Sequence, residues 1–228
     1  MKATSIYSKL FAGLALLITV GSFTSCKKNN IDPSGQFHLK IVNASATAGP
    51  QSFTLAGTVL VSGGLNFTNA SAYITSPSGT RLVAEFKNDG TNNVYASGEI
   101  WTANTIDQTV YLAGNGSKAR VKVYTDDLGA PNNGKVKIKF IHLSDDAPSV
   151  ITIKNSSGDD LVTTLARDIS SDYKYVDPGT LSVQFYGTAS RNNIGNFDVT
   201  DLQAGKIYTL YLTDSATGTL LLNKVLHN

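Results

Sequence analysis

The chain of 228 residues has a single cysteine, Cys26, and only two glutamates, Glu85 and Glu99. One cysteine cannot form an internal disulfide. No G-x-S-x-G nucleophile motif or P-loop occurs in the sequence. Paired carboxylates for glycoside hydrolysis meet in space rather than in sequence, so a glycan hydrolase stays as the least favoured alternative. We therefore expect no enzyme, no catalytic residues and no cofactor.

The only long apolar run lies near the start of the chain, over residues 10–20. Lys2 and Lys9 precede this run and small residues follow it, which is the layout of a secretory signal peptide. A membrane-spanning helix needs about 20 apolar residues, more than this run provides. We predict a signal peptide over residues 1–25.

Cys26 directly follows this predicted leader. The preceding Phe23-Thr24-Ser25 resembles the lipobox of bacterial lipoproteins, although Phe23 stands where leucine is usual. The resemblance implies that the Cys26 sulfur receives a diacylglycerol and that Cys26 becomes the mature N-terminus. Each buried acyl CH₂ contributes about 0.8 kcal/mol, so several chains hold a protein firmly to a membrane. The alternative is ordinary signal cleavage nearby, with an incidental free thiol.

The formal net charge of +2 includes Lys2 and Lys9, so the chain without its leader is electrically neutral. Beyond Lys27-Lys28 there is no polybasic tract, and we expect no nucleic-acid partner. The predicted location is the outer membrane of the cell envelope, held by the N-terminal lipid. The side is left open between periplasm and surface. Lysines rather than acidic residues after Cys26 keep the periplasmic side in consideration.

Several segments recur at an offset of 99 to 102 residues, which indicates a duplicated domain. The matching segments are 40–45 with 139–144, Tyr73-Ile74 with Tyr175-Val176, and 109–112 with 209–212. A turn-rich stretch separates the two copies. We predict a flexible tether over 26–36, a first repeat over 37–127, a linker over 128–134 and a second repeat over 135–228.

Short apolar runs separated by Gly, Pro, Asn and Asp predict strands throughout both repeats. In the first repeat the predicted strands are 37–43, 53–61, 71–76, 81–87, 94–102, 108–114 and 118–125. In the second they are 135–143, 149–155, 161–166, 172–176, 181–187, 195–199, 207–213 and 219–225. Lys135, Lys137 and Lys139 alternate with apolar residues, which predicts a half-buried strand with a charged outer face. The fold class expected is all-β, with two tandem immunoglobulin-like antiparallel β-sandwich domains.

The second repeat resembles a known family of domains. Residues 138–148 (IKFIHLSDDAP), Asp177-Pro178-Gly179-Thr180 and residues 204–209 (AGKIYT) are similar to motifs of the domain of unknown function DUF4397. The first repeat matches more loosely, since residues 42–50 lack the aspartate. The resemblance implies a β-sandwich in exported, envelope-associated proteins and implies no particular ligand or activity.

Polar residues in predicted loops could bind metal, but their pattern favours structural roles. His142 lies beside Asp145 and Asp146, yet Asn43 occupies its place in the first repeat, and asparagine cannot act as a general base. We therefore expect His142 to hydrogen-bond the turn that follows it. The pairs of neighbouring aspartates lack the spacing of a calcium loop, so turn formation is expected, with calcium as the alternative and no metal site predicted. These pairs are Asp126-Asp127, Asp145-Asp146 and Asp159-Asp160.

Exposed aromatic residues could form a surface that binds a glycan or an envelope protein, because rings stack on sugars and anchor interfaces. Trp101 and Tyr186 are the candidates, since Tyr175 and Tyr211 have counterparts in the first repeat. The leading hypothesis is a non-enzymatic, lipid-anchored module for binding or adhesion. The alternative is a fimbrial or surface-layer subunit that assembles by strand addition. The oligomeric state is left open.

Overall fold

The structure is a computed structural model that describes residues 29–132 and 134–228. Cys26 and the predicted signal peptide lie outside the described residues. The strands of the first half are β1 (Asn30–Asn43), β2 (Gln51–Leu55), β3 (Thr58–Leu65), β4 (Ile74–Thr80), β5 (Leu82–Asn88), β6 (Val94–Ile100), β7 (Asp107–Ala113) and β8 (Arg120–Asp126), with a 3₁₀ turn at Gly116–Lys118. Those of the second half are β9 (Val136–His142), β10 (Val150–Asn155), β11 (Asp160–Ala166), β12 (Lys174–Val176), β13 (Gly179–Gly187), β14 (Asn193–Leu202), β15 (Ile207–Asp214) and β16 (Leu220–Leu226).

The strands form four sheets of four strands, two in each half of the chain. The first half has the orders β4-β1-β7-β8 and β3-β2-β5-β6, and the second half repeats both as β12-β9-β15-β16 and β11-β10-β13-β14. Two sheets packed face to face make a sandwich. The all-β class and the two tandem sandwiches are therefore confirmed. Neighbouring strands run antiparallel except β1 with β7 and β9 with β15, which are parallel.

Each sandwich has its own apolar core between its two sheets. The first core includes Phe53 and Phe86, whose ring centroids are 4.9 Å apart. The second includes Phe140 and Phe185, at 6.4 Å. Alternation along the strands places these side chains on the inner faces of the sheets. Within the described residues, no helix is long and apolar enough to span a membrane.

Several strand boundaries differ from the sequence prediction, and β4 runs over Ile74–Thr80 rather than 71–76. Residues 53–61 were expected as one strand, but a tight turn at Ala56-Gly57 divides them into β2 and β3. Both turn residues have positive φ, 50° and 85°, the conformation of a two-residue hairpin turn. β1 begins at Asn30, inside the stretch expected to be a tether, because Asn30 and Ile31 pair with the end of β4.

The two sandwiches contact each other through the faces of β1-β7-β8 and β9-β15-β16 that point away from their own cores. A third apolar cluster fills this interface, and it consists of Val42, Ala44, Tyr111, Ala113, Tyr124, Ile141, Leu143, Tyr211 and Val225. The rings of Tyr111 and Tyr211 meet edge to face at 5.5 Å. The duplicated sheets thus bury a second apolar face between the repeats.

This interface corrects the prediction that β9 has a charged outer face. Lys137 and Lys139 are each only 2% exposed, because the first repeat covers that face of the strand. Lys137 pairs with Asp127 at 2.6 Å, and Lys139 pairs with Asp126 at 2.8 Å. A buried ammonium needs such a partner, and the first repeat supplies it.

Candidate functional site

A surface cavity of the second repeat lies on the outer face of the β11-β10-β13-β14 sheet. Its volume is about 500 Å³, and its lining residues are Thr152, Lys154, Gly158, Asp160, Thr163, Tyr186, Gly187, Thr188 and Arg191. Tyr186, which the sequence singled out as a binding candidate, stands on β13 directly beside Thr152 of β10. The structure thus surrounds Tyr186 with hydroxyl groups and charges from separate strands.

Hydrogen bonds hold the polar groups of the cavity in place. Thr152 Oγ1 donates to the Thr163 carbonyl at 2.8 Å and lies 3.1 Å from Thr188 Oγ1. The Tyr186 hydroxyl donates to Gln184 Oε1 at 2.9 Å, which orients the half-buried ring. Tyr186 remains part of the cavity lining, together with these threonine hydroxyl groups.

The cavity has two cationic side chains, of which, among the described residues, one is paired with a carboxylate and the other is not. Lys154 Nζ is neutralised by Asp160 Oδ1 at 2.6 Å. Arg191 is exposed, and no ion pair to its guanidinium exists among residues 29–132 and 134–228. A tight turn positions it, since Arg191 has φ of 58° and its amide donates to the Gly187 carbonyl at 2.7 Å. The cavity therefore carries one unpaired cation beside an aromatic ring.

The first repeat has a smaller cavity at the equivalent place, with a volume of about 300 Å³. Ser52 lies beside Lys87 there, as Thr152 lies beside Tyr186 in the second repeat. Lys87 is paired with Glu85 at 3.0 Å. Duplication has thus preserved the concavity, whereas the aromatic ring occurs in the second copy.

Trp101, the other binding candidate, belongs to the first sandwich and follows the last residue of β6. Its side chain is 63% exposed, and its carbonyl accepts a hydrogen bond from Gln108 Nε2 at 3.3 Å. It lies in a different sandwich from Tyr186. The two residues therefore belong to two separate surfaces.

A buried chain of hydrogen bonds crosses the interface between the repeats. The Tyr73 hydroxyl donates to Asp126 Oδ2 at 2.8 Å and lies 2.7 Å from His227 Nδ1. Thr109 Oγ1 donates to the same aspartate oxygen at 2.6 Å, and Thr209 Oγ1 lies 2.8 Å from His227 Nε2. Because the tyrosine proton goes to aspartate, His227 Nδ1–H must donate to the tyrosine oxygen and Nε2 must accept from Thr209.

Burial determines the protonation of this chain. It lowers the pKa of His227 to about 4, with the nearby Asp126 carboxylate opposing the shift and the Lys139 ammonium adding to it. Burial and the Asp126 charge raise the pKa of Tyr73 far above its usual range. Histidine and tyrosine are therefore both neutral at pH 7. The His227–Asp126 separation of 3.8 Å is not an ion pair under those conditions.

The strand register also corrects one correspondence between the repeats. Leu39 pairs with Ile74 and Ile138 pairs with Lys174, so Tyr73 matches Tyr173 rather than Tyr175. Lys40 Nζ lies 4.7 Å from the Tyr73 ring centroid, as Lys139 Nζ lies 5.2 Å from that of Tyr173. Tyr175 is instead 47% exposed. The apparent match of Tyr73 to Tyr175 came from aligning similar letters across an offset of 102.

The expected structural role of His142 is confirmed. Its Nε2 lies 2.8 Å from the Pro148 carbonyl, at the end of the turn that follows the strand. Asn43 makes the equivalent contact, since its Nδ2 donates to the Gly49 carbonyl at 3.4 Å. Burial lowers the pKa of His142, which keeps the ring neutral.

The three pairs of neighbouring aspartates have different structural roles. Asp126 was expected in a loop but ends β8, where it is 5% exposed and bound to Lys139. Asp145 accepts from Arg120 Nη1 at 2.8 Å. Asp159 closes a hairpin by accepting from Asn155 Nδ2 at 3.1 Å. Within the described part of the chain, no group of three or more His, Cys, Asp or Glu side chains could hold a metal ion.

The sequence pattern missed Arg191 and the Asp126–Tyr73–His227 chain. Each group comes from strands or turns that are distant in sequence, so no local motif marks it. A signal did exist for the second, since Thr109 and Thr209 stand at the same position of the two repeats. The side chains that these threonines hydrogen-bond, Asp126 and His227, then meet at the interface.

Solved structures with low sequence identity have partly similar folds. A candidate cell adhesion protein from Bacteroides uniformis ATCC 8492 is 12% identical, with 85% of this chain and 99% of that chain covered and a TM-score of 0.29. A family 26 carbohydrate-binding module of Eubacterium rectale Amy13K, in complex with maltoheptaose, is 11% identical, with coverages of 82% and 96% and a TM-score of 0.28. The fimbrial anchor protein Mfa2 from Porphyromonas gingivalis is 8% identical, with coverages of 84% and 97% and a TM-score of 0.20. Similarities this small carry no argument on function.

No curated protein sequence matches this chain. The family model of the domain of unknown function DUF4397 matches residues 37–153, which are more than half of the chain. The match begins within β1, runs through the rest of the first sandwich and ends in β10 of the second, whereas the clearest motifs in the sequence lie in residues 135–228. The chain therefore belongs to the DUF4397 family.

Proposed function

We propose that the protein is a non-enzymatic, lipid-anchored protein of the cell envelope that binds a glycan on the outer face of the β11-β10-β13-β14 sheet. The observation that carries this proposal is the cavity of about 500 Å³ in which Tyr186 stands beside Thr152 and Thr188. The apolar face of a sugar ring stacks on an aromatic ring, and threonine hydroxyls can exchange hydrogen bonds with sugar hydroxyls. The cavity supplies both kinds of contact.

The unpaired guanidinium of Arg191 favours an acidic glycan over a neutral one. A guanidinium binds a carboxylate through two parallel hydrogen bonds. Arg191 offers such a group, because Asp160 neutralises the neighbouring Lys154 instead. We expect a sugar that carries a carboxylate, such as a uronic acid, to bind better than its neutral counterpart.

The N-terminal sequence supports the proposed place of the protein in the cell. The lipobox-like Phe23-Thr24-Ser25 before Cys26 supports attachment to the outer membrane by lipid. The buried interface supports display of the second repeat at a defined position on the first, since Lys40 Nζ donates to the Leu226 carbonyl at 2.7 Å and Thr213 Oγ1 to the Ala44 carbonyl at 2.9 Å. A ligand bound at Tyr186 would thus be held near the membrane.

A fimbrial subunit that assembles by strand addition remains the alternative. Strand addition needs a sheet edge with free backbone groups. The edge of β9 is already occupied beyond the short β12, since Ser171 donates to the Phe140 carbonyl at 2.8 Å and Asp168 to the His142 carbonyl at 2.7 Å. This edge therefore does not favour assembly, and the cavity favours binding.

Binding to an array of neutral and acidic bacterial polysaccharides tests the proposal. The protein is the mature chain with Cys26→Ser, which cannot be acylated. Tyr186→Ala and Arg191→Gln should each weaken binding roughly tenfold or more, equivalent to about 1.4 kcal/mol. Lys87→Ala, at the position of Tyr186 in the first repeat, is the matched control and should leave binding unchanged. Binding that both Tyr186→Ala and Arg191→Gln leave intact would refute this site.

Two further measurements test the remaining parts of the proposal. Mass spectrometry of the membrane-extracted protein should show acyl groups on Cys26, whereas an unmodified thiol would exclude the lipid anchor. A broad panel of chromogenic glycosides should show no turnover. Hydrolysis that disappears in Glu85→Gln or Glu99→Gln would establish an enzyme instead.

A further inference from the structure

Two exposed apolar side chains belong to the end of the first sandwich where the described chain begins. Ile31 is 49% exposed and Trp101 is 63% exposed. Ile31 pairs with Gly79 of β4, and Thr102, next to the tryptophan, both donates to the Gly79 carbonyl at 2.9 Å and accepts from the Gly79 amide at 2.7 Å. Gly79 thus connects the backbones of both segments, and the exposed apolar surface that Ile31 and Trp101 give to this end of the sandwich is called here the Ile31–Trp101 patch.

The first residues that the structure describes are attached to this same end. Asn30 pairs with Thr80, and the side chain of Asn29 accepts a hydrogen bond from the Val83 amide at 2.8 Å. Asn29 is therefore fixed to the corner where β4 passes into β5.

The number of residues between Cys26 and Asn29 limits the distance between the first sandwich and the membrane. Cys26 precedes Asn29 by three residues. Three fully extended residues span at most about 10 Å. The headgroup region on each side of a bilayer is about 5–7 Å thick, so a diacylglycerol on Cys26 would hold this end of the sandwich at the headgroups. The longer tether expected from the sequence, over residues 26–36, would have allowed the sandwich to lie farther from the membrane.

We infer that the Ile31–Trp101 patch rests on the surface of the bilayer that holds the Cys26 lipid and so orients the first sandwich; this inference rests on the lipid anchor of the proposed function. Tryptophan concentrates at membrane interfaces, where its ring packs among headgroups and its N–H stays hydrated. Lys27 and Lys28 directly follow Cys26 in the sequence, and lysines so close to a lipid anchor favour anionic headgroups.

The charged groups at this end are compatible with headgroup contact. Arg81 Nε is paired with Glu99 Oε2 at 3.2 Å. Asp32 Oδ1 accepts hydrogen bonds from the Ser34 amide and hydroxyl at 2.9 and 2.7 Å. These groups stay in water or among headgroups, so the patch contacts the interface and does not enter the hydrocarbon.

Trp101 is the only tryptophan of the chain, and its fluorescence reports on the patch directly. The lipidated full-length protein is purified from membranes, its acylation is verified by mass spectrometry, and it is reconstituted into vesicles with and without brominated phospholipids. We expect emission shifted to shorter wavelength than for the Cys26→Ser protein, and roughly twofold quenching by bromine near the interface. The Cys26→Ser protein with the same vesicles should show neither effect.

A second variant moves the reporter to the other sandwich. Trp101→Phe combined with Tyr175→Trp places a tryptophan at a position of β12 that is 47% exposed. This lipidated variant should be quenched far less than the parent. A lipidated parent whose Trp101 is not quenched, or is quenched no more than the residue-175 reporter, would overturn the inference and leave the anchor intact. Absence of acyl groups on Cys26 would overturn both.

Discussion

Lys139 and Asp126 form an ion pair between the two repeats, with 2.8 Å between Nζ and Oδ1 and side chains that are 2% and 0% exposed. The same Nζ donates to the Thr125 carbonyl at 2.8 Å. The second oxygen of Asp126 accepts from Tyr73 and Thr109. Both charges are thus fully desolvated and satisfied by each other and by their neighbours. A buried pair of this kind makes the docking of the repeats specific.

We predict that Asp126→Asn destabilises the folded protein by about 3–5 kcal/mol, because it leaves the Lys139 ammonium buried without a counter-charge. The measurement is the free energy of unfolding from urea titration followed by circular dichroism. The matched control is Asp177→Asn, which breaks the Lys135–Asp177 pair, where the side chains are 43% and 82% exposed. That control should cost less than about 1 kcal/mol. Equal losses for the two variants would contradict the structural role of the buried pair.

Arg120 makes a second connection between the repeats. Its Nη1 donates to Asp145 at 2.8 Å, while Nε and Nη2 donate to the two oxygens of Asp168 at 2.9 and 2.7 Å. Burial raises the pKa of Asp168, but hydrogen bonds from Arg120 and Lys122 outweigh it, so that the pKa lies below its usual range. One planar guanidinium thus binds two carboxylates.

We predict that Arg120→Lys lowers the free energy of unfolding by about 1.5–3 kcal/mol, because an ammonium keeps the charge but cannot donate along both directions at once. Arg81→Lys is the control, since Arg81 binds a single carboxylate, that of Glu99, with its own side chain 53% exposed. Thermal and urea unfolding of both variants give the comparison. The same small loss in each would show that the fork geometry of Arg120 is unimportant.

The buried His227 makes stability depend on pH. Its pKa is about 4 in the folded protein and has an ordinary value of 6.5. Above pH 6.5 both folded and unfolded chains carry the neutral ring, so this residue has no effect on stability. Between pH 6.5 and 4 the unfolded chain binds a proton and the folded chain does not. Folding is therefore destabilised as pH falls, by about 3 kcal/mol in total from this residue.

We predict that His227→Gln makes the loss of stability between pH 6.5 and 4 shallower. The glutamine amide can still hydrogen-bond but does not titrate. The loss should not vanish, because burial also lowers the pKa of His142 and that ring acts in the same direction. Midpoints of thermal unfolding measured at half-unit steps of pH give the two curves. Parallel curves for wild type and variant would refute the assignment.

Much of the architecture could be predicted from the sequence. Alternation of apolar residues marks β9 and β15, and the offset of about 100 residues marks the duplication. The turn at Ala56-Gly57 was missed because alanine rarely takes positive φ and gives no turn signal. Alternation also shows that a strand has two faces without showing what covers the second. For that reason Lys137 and Lys139 were expected in solvent, whereas the other repeat covers them.

The candidate site could be predicted only in part, because the sequence does not show which side chains from different strands come together. Tyr186 stood out because the first repeat has no aromatic partner for it, and the structure places Lys87 there instead. Arg191 gave no such signal, since its position depends on the turn after β13 and on strands β10 and β11. Sequence comparison within the chain identifies what differs between the copies. It does not identify which residues, distant in sequence, contact the positions that differ.

The buried hydroxyl of Tyr211 leads to a prediction that its removal does not destabilise the protein. The ring is fully buried at the interface, 5.5 Å from that of Tyr111, and its hydroxyl has no hydrogen-bond partner among the described residues. An unsatisfied buried hydroxyl costs about 1–3 kcal/mol, so Tyr211→Phe should leave the free energy of unfolding unchanged or raise it by about 1 kcal/mol. Tyr211→Ala removes the ring itself and should cost about 3–5 kcal/mol. Urea titration of both variants separates the two contributions, because a large loss for phenylalanine would mean that the hydroxyl is bonded and stabilises the contact between the repeats.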